Sequence, residues 1–224
     1  MVPPPVPEGS PDTVEEFREL LIAGAREAGR PLSPAEIAGM TTHYRILLKW
    51  GSRMNLTGLR DVRSIARRHF LEPVETADLI GEEGKLLDLG SGNGFPAIPL
   101  AVLHPGLRLV LVESSQKKSE FLWAVIRELG LHQARVETRR VERRSDLDDL
   151  LPTDYFTFRA IRGSELLAGE GEAVLRPGGR LLAYVSRRDA ARLRRNPIAG
   201  LQWLGAWPLS SGENAVVAIL EPDA

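Results

Sequence analysis

The residues best suited to hold a ligand lie between Asp88 and Gly94, where the sequence reads Asp-Leu-Gly-Ser-Gly-Asn-Gly. Alternating glycines weaken a strand, and Pro96 ends it. Glycine adopts a positive φ without strain and lets a bound molecule touch main-chain amides. Three alternating glycines after an acid exceed what a turn requires, so the pattern predicts a ligand lying against this backbone.

The spacing of these glycines argues against two phosphate-binding motifs. A dinucleotide fingerprint requires glycine at the position of Phe95, and a P-loop requires Gly-Lys-Ser/Thr, which this segment lacks. The order acid-x-Gly-x-Gly-x-Gly instead resembles motif I of the class I S-adenosylmethionine methyltransferases. That resemblance implies that Gly90, Gly92 and Gly94 approach the cofactor. It also implies that Asp88 faces the cofactor's cationic amino-acid end.

A second acid lies where the next strand should end. Glu113 closes the apolar run 108–113 and follows Gly90 by 23 residues. A carboxylate at that place can accept hydrogen bonds from both hydroxyls of a ribose; a solvated strand-end charge is the alternative. After the third strand, backbone groups near Val141 and Glu142 are expected to lie against an adenine, although Glu142 among arginines is also typical of a surface ion pair.

The elements that must position these residues alternate from residue 85 onward. Apolar runs of strand length are separated by amphipathic stretches, which is typical of a doubly wound, mostly parallel sheet. The expected strands are 85–89, 108–113, 134–138, 154–160 and 179–186. The expected helices are 96–104, 116–130, 141–150, 163–175 and 187–195. Two further runs, 201–210 and 214–222, predict an antiparallel hairpin that completes a seven-stranded sheet.

The first 80 residues have the sequence pattern of helices instead of alternating strands and helices. Thr13–Glu16 and Ser33–Glu36 have the pattern of capping boxes, and apolar residues then recur at helical spacing. Residues 13–80 are therefore predicted to form an N-terminal helical extension, in which Pro73 breaks or kinks a helix. Residues 81–224 are predicted to form the ligand-binding domain. The segment 1–12 lacks the features of a secretory signal and is expected to be a disordered, proline-stiffened leader.

Composition excludes several classes of site. The 224 residues contain no cysteine, which rules out disulfides and thiolate chemistry, and the four histidines are scattered without metal-ligand spacing. No apolar stretch is long enough for a membrane span. We therefore expect a cytoplasmic protein without a metal. The net charge of −1 does not itself suggest nucleic-acid binding, but nearly all of the 29 cationic residues are arginine. That bias indicates either phosphate recognition or a coding preference.

Longer segments around the glycine motif resemble a single family. The segments are 47–74, 86–105, 111–131 and 138–143. Their most specific pieces are Asn55-Leu56-Thr57, Arg68-His69, Gly94-Phe95-Pro96, and Lys117-Lys118 followed by Phe121-Leu122. In order and spacing, residues 47–162 resemble the RsmG (GidB) family. The resemblance implies an enzyme that methylates N7 of a guanine in the 530 loop of 16S ribosomal RNA. Since N7 carries a lone pair and no proton, a direct SN2 transfer needs no general base.

The resemblance also implies roles for individual residues. Cofactor contacts are implied at Gly90, Phe95, Arg159 and the pair Val141-Glu142. Phe95 either covers the apolar part of the cofactor or packs between helix and sheet. Arg159 either positions the target base, holds the cofactor's carboxylate, or pairs with a structural acid. His69 either meets RNA or is a packing residue, so no catalytic residue is assigned.

The implied partner is 16S ribosomal RNA or the small ribosomal subunit, bound by a monomer. The cationic candidates for RNA contact are Arg67, Arg68, Lys117, Lys118, Arg139, Arg187 and Arg188. Four aromatic residues are available for base stacking, although each is favoured as a core residue: Tyr44, Trp50, Phe70 and Trp123.

The sequence departs from the family pattern at positions expected to face RNA. The departures are Glu72-Pro73, Phe158, Val185-Ser186 and Glu213-Asn214. They bear on the RNA target more than on the cofactor. The alternatives are a divergent methyltransferase with another RNA, a protein or a small molecule as substrate, and a non-enzymatic ribosome binder.

Overall fold

The computed structural model describes residues 11–51, 54, 56–159, 167 and 174–223. Its N-terminal part is helical. The helices and helical turns of this part are α1 (Pro11–Glu27), α2 (Pro34–Gly51), α3 (Val62–Ile65), a π-helical turn (Ala66–Leu71), α4 (Glu72–Thr76) and a 3₁₀ turn (Ala77–Leu79). Pro73 lies in the first turn of α4, directly after the π-helical turn. The backbone of Leu71 and Glu72 is helical, so the helix changes type next to this proline without the predicted break.

Of the two predicted capping boxes, one is confirmed and one is wrong. At α2 the Ser33 amide donates to Glu36 Oε2 at 2.6 Å, and the Glu36 amide donates to Ser33 Oγ at 3.3 Å. In contrast, α1 begins at Pro11, so Thr13 lies inside the helix instead of capping it. Proline is favoured in the first turn because its missing N–H is not needed there. Residues 11 and 12, which were expected to belong to the leader, are part of α1. Residues 1–10 of the expected leader lie outside the described residues.

The remaining chain forms a mixed seven-stranded sheet in the order β3-β2-β1-β4-β5-β7-β6. The strands are β1 (Glu83–Leu89), β2 (Gly106–Glu113), β3 (Ala134–Thr138), β4 (Thr153–Arg159), β5 (Leu175–Ser186), β6 (Leu201–Pro208) and β7 (Ala215–Pro222). The strands β1 to β5 are parallel, whereas β7 is antiparallel to both β5 and β6. The predicted doubly wound sheet with its closing hairpin is thus confirmed.

Helices connect these strands. They are α5 (Ala97–Leu103), α6 (Gln116–Leu129), a 3₁₀ helix (Arg144–Leu150) and α7 (Arg187–Arg195). The predicted helix 141–150 is therefore shorter and of the 3₁₀ type. The predicted helix 163–175 falls almost entirely outside the described residues, and its last residue, Leu175, begins β5.

A single apolar core joins the N-terminal helices to one face of the sheet. Phe17 of α1, Tyr44 of α2 and Leu86 of β1 all belong to it and are fully buried. A second core on the opposite face contains Phe156 and Leu181. The N-terminal helices are therefore a layer of the folded unit, and the expected boundary at residue 80 stays a prediction.

Candidate functional site

The glycine-rich loop 90–94 follows β1 at the carboxyl edge of the sheet. Gly90, Gly92 and Gly94 have φ values of +72°, +54° and +83°, which side chains rarely adopt. A Cβ at Gly90 would have no atom within 4 Å, whereas one at Gly94 would lie 2.5 Å from Cδ1 of Ile98. Gly90 thus borders open space that a ligand can enter, and Gly94 lets α5 pack closely.

Glu113 joins the ends of β1 and β2 through this loop. Its Oε2 accepts from the Gly92 amide at 2.8 Å, and its Oε1 accepts from the Ser115 amide at 2.7 Å. The residue is 6% exposed. Each carboxylate oxygen has two lone pairs, so these bonds leave acceptor capacity. Glu113 can therefore hold the loop and still accept from ribose hydroxyls.

Asp88 is the buried acid of the loop. It is 1% exposed, and its Oδ1 accepts from Thr157 Oγ1 at 2.7 Å. Its Oδ2 has no hydrogen-bond partner among the described residues. Burial raises the pKa of Asp88 to about 6, and the bond from Thr157 offsets part of that rise. An unpartnered buried carboxylate oxygen suits a cationic ligand such as the ammonium of S-adenosylmethionine.

The loop after β3 contains Val141 and Glu142. Since β3 pairs in parallel with β2, this loop lies at the same edge as Asp88 and Glu113. The Glu142 amide donates to Asp146 Oδ2 at 2.9 Å, and its carboxylate pairs with Arg140 at 2.8 Å. The surface ion pair considered from the sequence is thus present, while adenine contact stays a prediction for the backbone here.

Phe95 packs between two buried imidazoles. Its ring stacks on His43 at 4.5 Å and on His69 at 4.4 Å between ring centroids, and it is 3% exposed. The His43 Nε2 donates to the Asn93 carbonyl at 3.1 Å, and His69 Nε2 lies 2.9 Å from Thr57 Oγ1. These placements favour the packing interpretation of both Phe95 and His69. They also tie the glycine loop to the N-terminal helices.

This sandwich predicts a pH-dependent stability. Burial lowers the pKa of His43 to about 3, so His43 is neutral in the folded protein. In the unfolded chain His43 takes up a proton below about pH 6.5. The free energy of unfolding should therefore fall by about 1.4 kcal/mol per pH unit below pH 6.5, and this fall should stop once the pH drops below the pKa of His43 in the folded protein. Urea unfolding at pH 6.5 and pH 5 checks this. The drop in the free energy of unfolding between these two pH values should be about 2 kcal/mol smaller for His43→Phe than for the wild type. Equal slopes in wild type and His43→Phe would contradict the argument.

Arg159 ends β4 in an ion pair. Its Nη1 donates to Glu72 Oε2 at 2.7 Å, and its Nη2 donates to the Arg68 carbonyl at 3.3 Å. Its guanidinium lies 5.2 Å from the centroid of the Tyr184 ring. Of the three roles considered from the sequence, pairing with an acid is the one observed. Sequence reasoning missed two partners in this region, Thr157 on Asp88 and Glu72 on Arg159, since both pairs join residues far apart in the chain.

The cationic candidates divide into engaged and exposed residues. Arg139 forms ion pairs with Asp149 at 2.7 Å and Glu137 at 3.0 Å, and these hydrogen bonds raise the pKa of its guanidinium. This engagement makes Arg139 a poor candidate for RNA contact. Lys118 is half-buried, and Arg187 is exposed but donates through Nε to the Glu213 carbonyl. The other exposed candidates are Arg67, Arg68, Lys117 and Arg188.

The aromatic candidates were expected to be core residues. Tyr44 and Phe70 are fully buried, and Trp50 is half-buried against Phe121. The expectation is wrong for Trp123, which is 46% exposed on α6. The apolar face of α6 instead consists of Phe121 and its neighbours at helical spacing.

Two features are absent from the described residues. No group of three or more histidine, aspartate or glutamate side chains there is arranged to hold a metal ion. No described helix combines the length and apolarity that a membrane crossing requires. Asn55, one of the motif residues, lies outside the described part of the chain.

Comparison with known proteins identifies sequence relatives. A family model described as GidB, rRNA small subunit methyltransferase G, matches residues 36–201. A ribosomal RNA small subunit methyltransferase G from Stenotrophomonas maltophilia (strain K279a) is 35% identical over 199 residues, which cover 87% of this chain and 92% of that protein. One of the same name from Xanthomonas oryzae pv. oryzae (strain KACC10331 / KXO85) is 38% identical over 165 residues, covering 72% and 76%.

Solved structures with the same fold are more distant. A chain of the fibrillarin/Nop5p complex superposes with a TM-score of 0.55 at 14% identity, covering 64% of this chain and 75% of that one. A SAM-dependent methyltransferase from Aquifex aeolicus gives a TM-score of 0.53 at 15% identity, covering 66% and 88%. At such identities the likeness shows a shared fold, that of the class I methyltransferases.

Proposed function

Because the chain belongs to the GidB family of rRNA small subunit methyltransferases, we propose that it methylates N7 of a guanine in the 530 loop of 16S ribosomal RNA. The coarser assignment, a methyltransferase of small-subunit ribosomal RNA with S-adenosylmethionine as cofactor, follows from the family and the fold. The finer one adds the base, the atom and the loop. We further propose that the enzyme acts as a monomer.

The observation that carries the proposal is the glycine loop with its two acids. Open space at Gly90, acceptor capacity on Glu113 and an unpartnered oxygen on Asp88 lie together at one edge of the sheet. These three features suit the cofactor. The Asp88 carboxylate suits its ammonium group, the Glu113 carboxylate suits its ribose hydroxyls, and the main-chain amides of the loop suit the part of the cofactor that lies against the backbone. We assign Gly92 and Gly94 to the shape of the loop.

Transfer of the methyl group to guanine N7 requires mainly that the protein orient the base and the cofactor. When bound, the cofactor supplies an electrophilic methyl group on a sulfonium. Guanine N7 already carries a lone pair, so the proposed reaction needs no side chain that removes a proton. This agrees with the burial of His69, whose pKa is held well below its usual value by burial and by nearby Arg159. Holding reactants in line can contribute about 7–11 kcal/mol, and we assign that role to the rigid loop and its supporting helices.

RNA would be held by the exposed cations around the site. Arg67 and Arg68 project from the π-helical turn, Arg187 and Arg188 begin α7, and Lys117 lies in the first turn of α6. These elements start or end at the carboxyl edge of the sheet or next to it. Phosphate contacts of this kind position an RNA without reading its sequence.

A second candidate function is methylation of another RNA. It is favoured by the departures from the family pattern, because most of them line one pocket at the carboxyl ends of β4 and β5: Glu72, Val185, Ser186, Glu213 and Asn214. Under this second proposal, substrate recognition has changed while the cofactor-binding residues are kept.

One experiment separates these functions. Small ribosomal subunits from a bacterial strain that lacks 530-loop methylation are incubated with the purified protein and cofactor carrying an isotope-labelled methyl group. Nucleoside mass spectrometry and fragment mapping should find labelled 7-methylguanosine in the 530 loop. Label in another RNA or nucleoside would support the second candidate. Absence of label from every RNA, while the cofactor still binds, would contradict both.

A further inference from the structure

Helix α7 (Arg187–Arg195) carries a high density of positive charge. Its nine residues include five arginines and one aspartate. That aspartate, Asp189, is already engaged at the start of the helix, where its amide donates to Ser186 Oγ at 3.1 Å and its Oδ2 accepts from the same hydroxyl at 2.7 Å. Like charges spaced three or four residues apart on a helix repel one another, so α7 forms in spite of its own charge.

The other arginine-rich part of the chain neutralises its charge internally. Four arginines lie in the loop and the 3₁₀ helix after β3, and each pairs with an acid within 3.3 Å: Arg139 with Asp149, Arg140 with Glu142, Arg143 with Asp146, and Arg144 with Asp148. In contrast, Arg188, Arg194 and Arg195 form no ion pair with any described residue. A coding preference for arginine explains the number of arginines but not this difference, so the charge of α7 is available to a partner.

The arginines of α7 lie on its outer side. Ala190 and Leu193 are buried in the second core and define the inner side. With about 3.6 residues per turn, Arg188, Arg192 and Arg195 fall on the opposite side, and all three are exposed. These three residues form the arginine face of α7. At about 1.5 Å per residue they span about 10 Å of helix, the length of about three nucleotides in a stacked strand.

The arginine face begins next to the candidate site. Ser186 ends β5 and caps α7, and β5 is parallel to β4, which is parallel to β1. The first turn of α7 therefore lies at the same edge of the sheet as the glycine loop. The chain next enters β6, which begins at the opposite edge because β6 is antiparallel to β7 and β7 is antiparallel to β5. From Arg188 to Arg195 the arginine face leads away from the glycine loop, so an RNA strand with one base at that loop can continue along it.

We propose that the arginine face of α7, with Arg194 beside it, binds the phosphate backbone of the RNA that flanks the methylated nucleotide. The inference deepens the proposed function and rests on it for the class of partner. A guanidinium keeps its charge at any working pH and matches a phosphate with two parallel N–H donors. Contacts of this kind set the position and the affinity of an RNA without selecting a base, so α7 is assigned to docking and not to the reaction.

The salt dependence of RNA binding tests the proposal. Binding of the full-length protein to 16S ribosomal RNA is measured at several salt concentrations, and the logarithm of the association constant is plotted against the logarithm of the salt concentration. Each phosphate contact on a single strand contributes about 0.7 to the slope of this plot. The triple variant Arg188→Gln/Arg194→Gln/Arg195→Gln, called the α7 variant, should therefore have a slope that is shallower by about 2. Its affinity at about 0.1 M salt should be lower by roughly tenfold or more.

Single variants make the test independent of how the triple variant folds. Arg188→Gln and Arg195→Gln should each make the slope shallower by about 0.7. A wild-type slope in both single variants would overturn the proposal.

A matched control removes the same charge from other helices. Arg26, Arg45 and Arg127 are exposed on α1, α2 and α6. Arg26 and Arg127 lie in the last turn of their helices, as Arg195 does in α7. Replacing these three control arginines by glutamine changes the net charge by the same amount as in the α7 variant and should leave the slope at its wild-type value. An equal change of slope in the two triple variants would show a general effect of charge and would overturn the proposal.

A second probe separates RNA from an acidic protein as the partner. Poly-L-glutamate stands in for an acidic protein segment, and its binding to the wild type and to the α7 variant is measured under the same conditions. The α7 variant should lose RNA affinity as described above. Loss of poly-L-glutamate binding with unchanged RNA binding would assign the arginine face to an acidic protein and would refute the proposal.

Methyl transfer to small ribosomal subunits gives an independent readout. The α7 variant should raise KM for the subunits by roughly tenfold while kcat and cofactor affinity stay unchanged, since its arginines contribute binding and not chemistry. A shallower salt slope without methylation of any RNA would refute the proposed function and keep the arginine face. Methylation of 16S RNA with a wild-type salt slope and KM in the α7 variant would do the reverse.

Discussion

Replacing Gly90 by alanine should lower the affinity for S-adenosylmethionine by roughly 5- to 150-fold, which corresponds to about 1–3 kcal/mol of overpacking. The reason is steric. A Cβ at Gly90 meets no protein atom within 4 Å, so the added methyl group projects into the space assigned to the cofactor. Isothermal titration calorimetry of the purified variant measures the loss directly.

The alanine also strains the backbone, and a control must separate that effect. Gly29 has a φ of +78° and, like Gly90, no atom within 4 Å of a built Cβ, but it follows α1 far from the loop in the chain. Gly29→Ala should therefore show a similar stability loss, of about 1–2 kcal/mol, with unchanged cofactor affinity. If the two variants bind the cofactor equally well, the placement of the ligand at Gly90 is wrong.

Gly94 extends the comparison within the same loop. An added Cβ there would lie 2.5 Å from Ile98 Cδ1 and 3.3 Å from Leu122 Cδ2. Gly94→Ala should thus destabilise the fold more than Gly90→Ala does. Two glycines of one motif are expected to serve different purposes, one making room for a ligand and the other for a helix.

Much of the fold is predictable because its signals are local. The strands end in carboxylates or arginines at Asp88, Glu113 and Arg159, and their apolar runs are bounded by turn residues. Apolar periodicity therefore located all seven strands to within a few residues. The family assignment is confirmed for the same reason, since its motifs are short and contiguous.

The features that sequence reasoning missed depend on long-range contacts. Nothing near Phe95 in the chain indicates that His43 and His69 enclose it. Local composition also suggested that the arginines after β3 face RNA, whereas Arg139 is bound by Asp149, ten residues further on. Charge type is visible in a sequence, but which charges are already paired is decided by tertiary packing.

The N-terminal helices acquire a role from these contacts. The Asn93 side chain donates to the Leu56 carbonyl at 3.0 Å, and the Asn93 carbonyl accepts from His43. The glycine loop is thus held from the helical side as well as from β2, through Glu113. A loop fixed on two sides needs little reordering when a ligand binds, which favours affinity and orientation.

The second large effect is expected at Asp88, where stability and cofactor binding should change in opposite directions. Burial raises the pKa of Asp88 to about 6 from 3.8, so its ionised form destabilises the folded protein by about 3 kcal/mol above pH 6. Asp88→Asn removes this charge and can still accept from Thr157. Urea unfolding at pH 7.5 should therefore show a more stable ligand-free protein, whereas calorimetry should show cofactor affinity reduced by roughly a hundredfold or more.

The pH dependence of binding gives an independent test of the same carboxylate. A cationic ligand favours the ionised form, so the cofactor affinity of the wild type should be constant above about pH 7 and fall by up to about tenfold per unit below pH 6. Asp88→Asn should bind weakly at every pH, without this slope. Thr157→Val removes the hydroxyl that lowers the pKa of Asp88, and the fall should then begin at a higher pH. Two results would show that Asp88 does not face the cofactor's positive charge. One is a wild-type affinity that does not change between pH 7.5 and pH 5, and the other is a Thr157→Val pH profile that coincides with the wild-type profile.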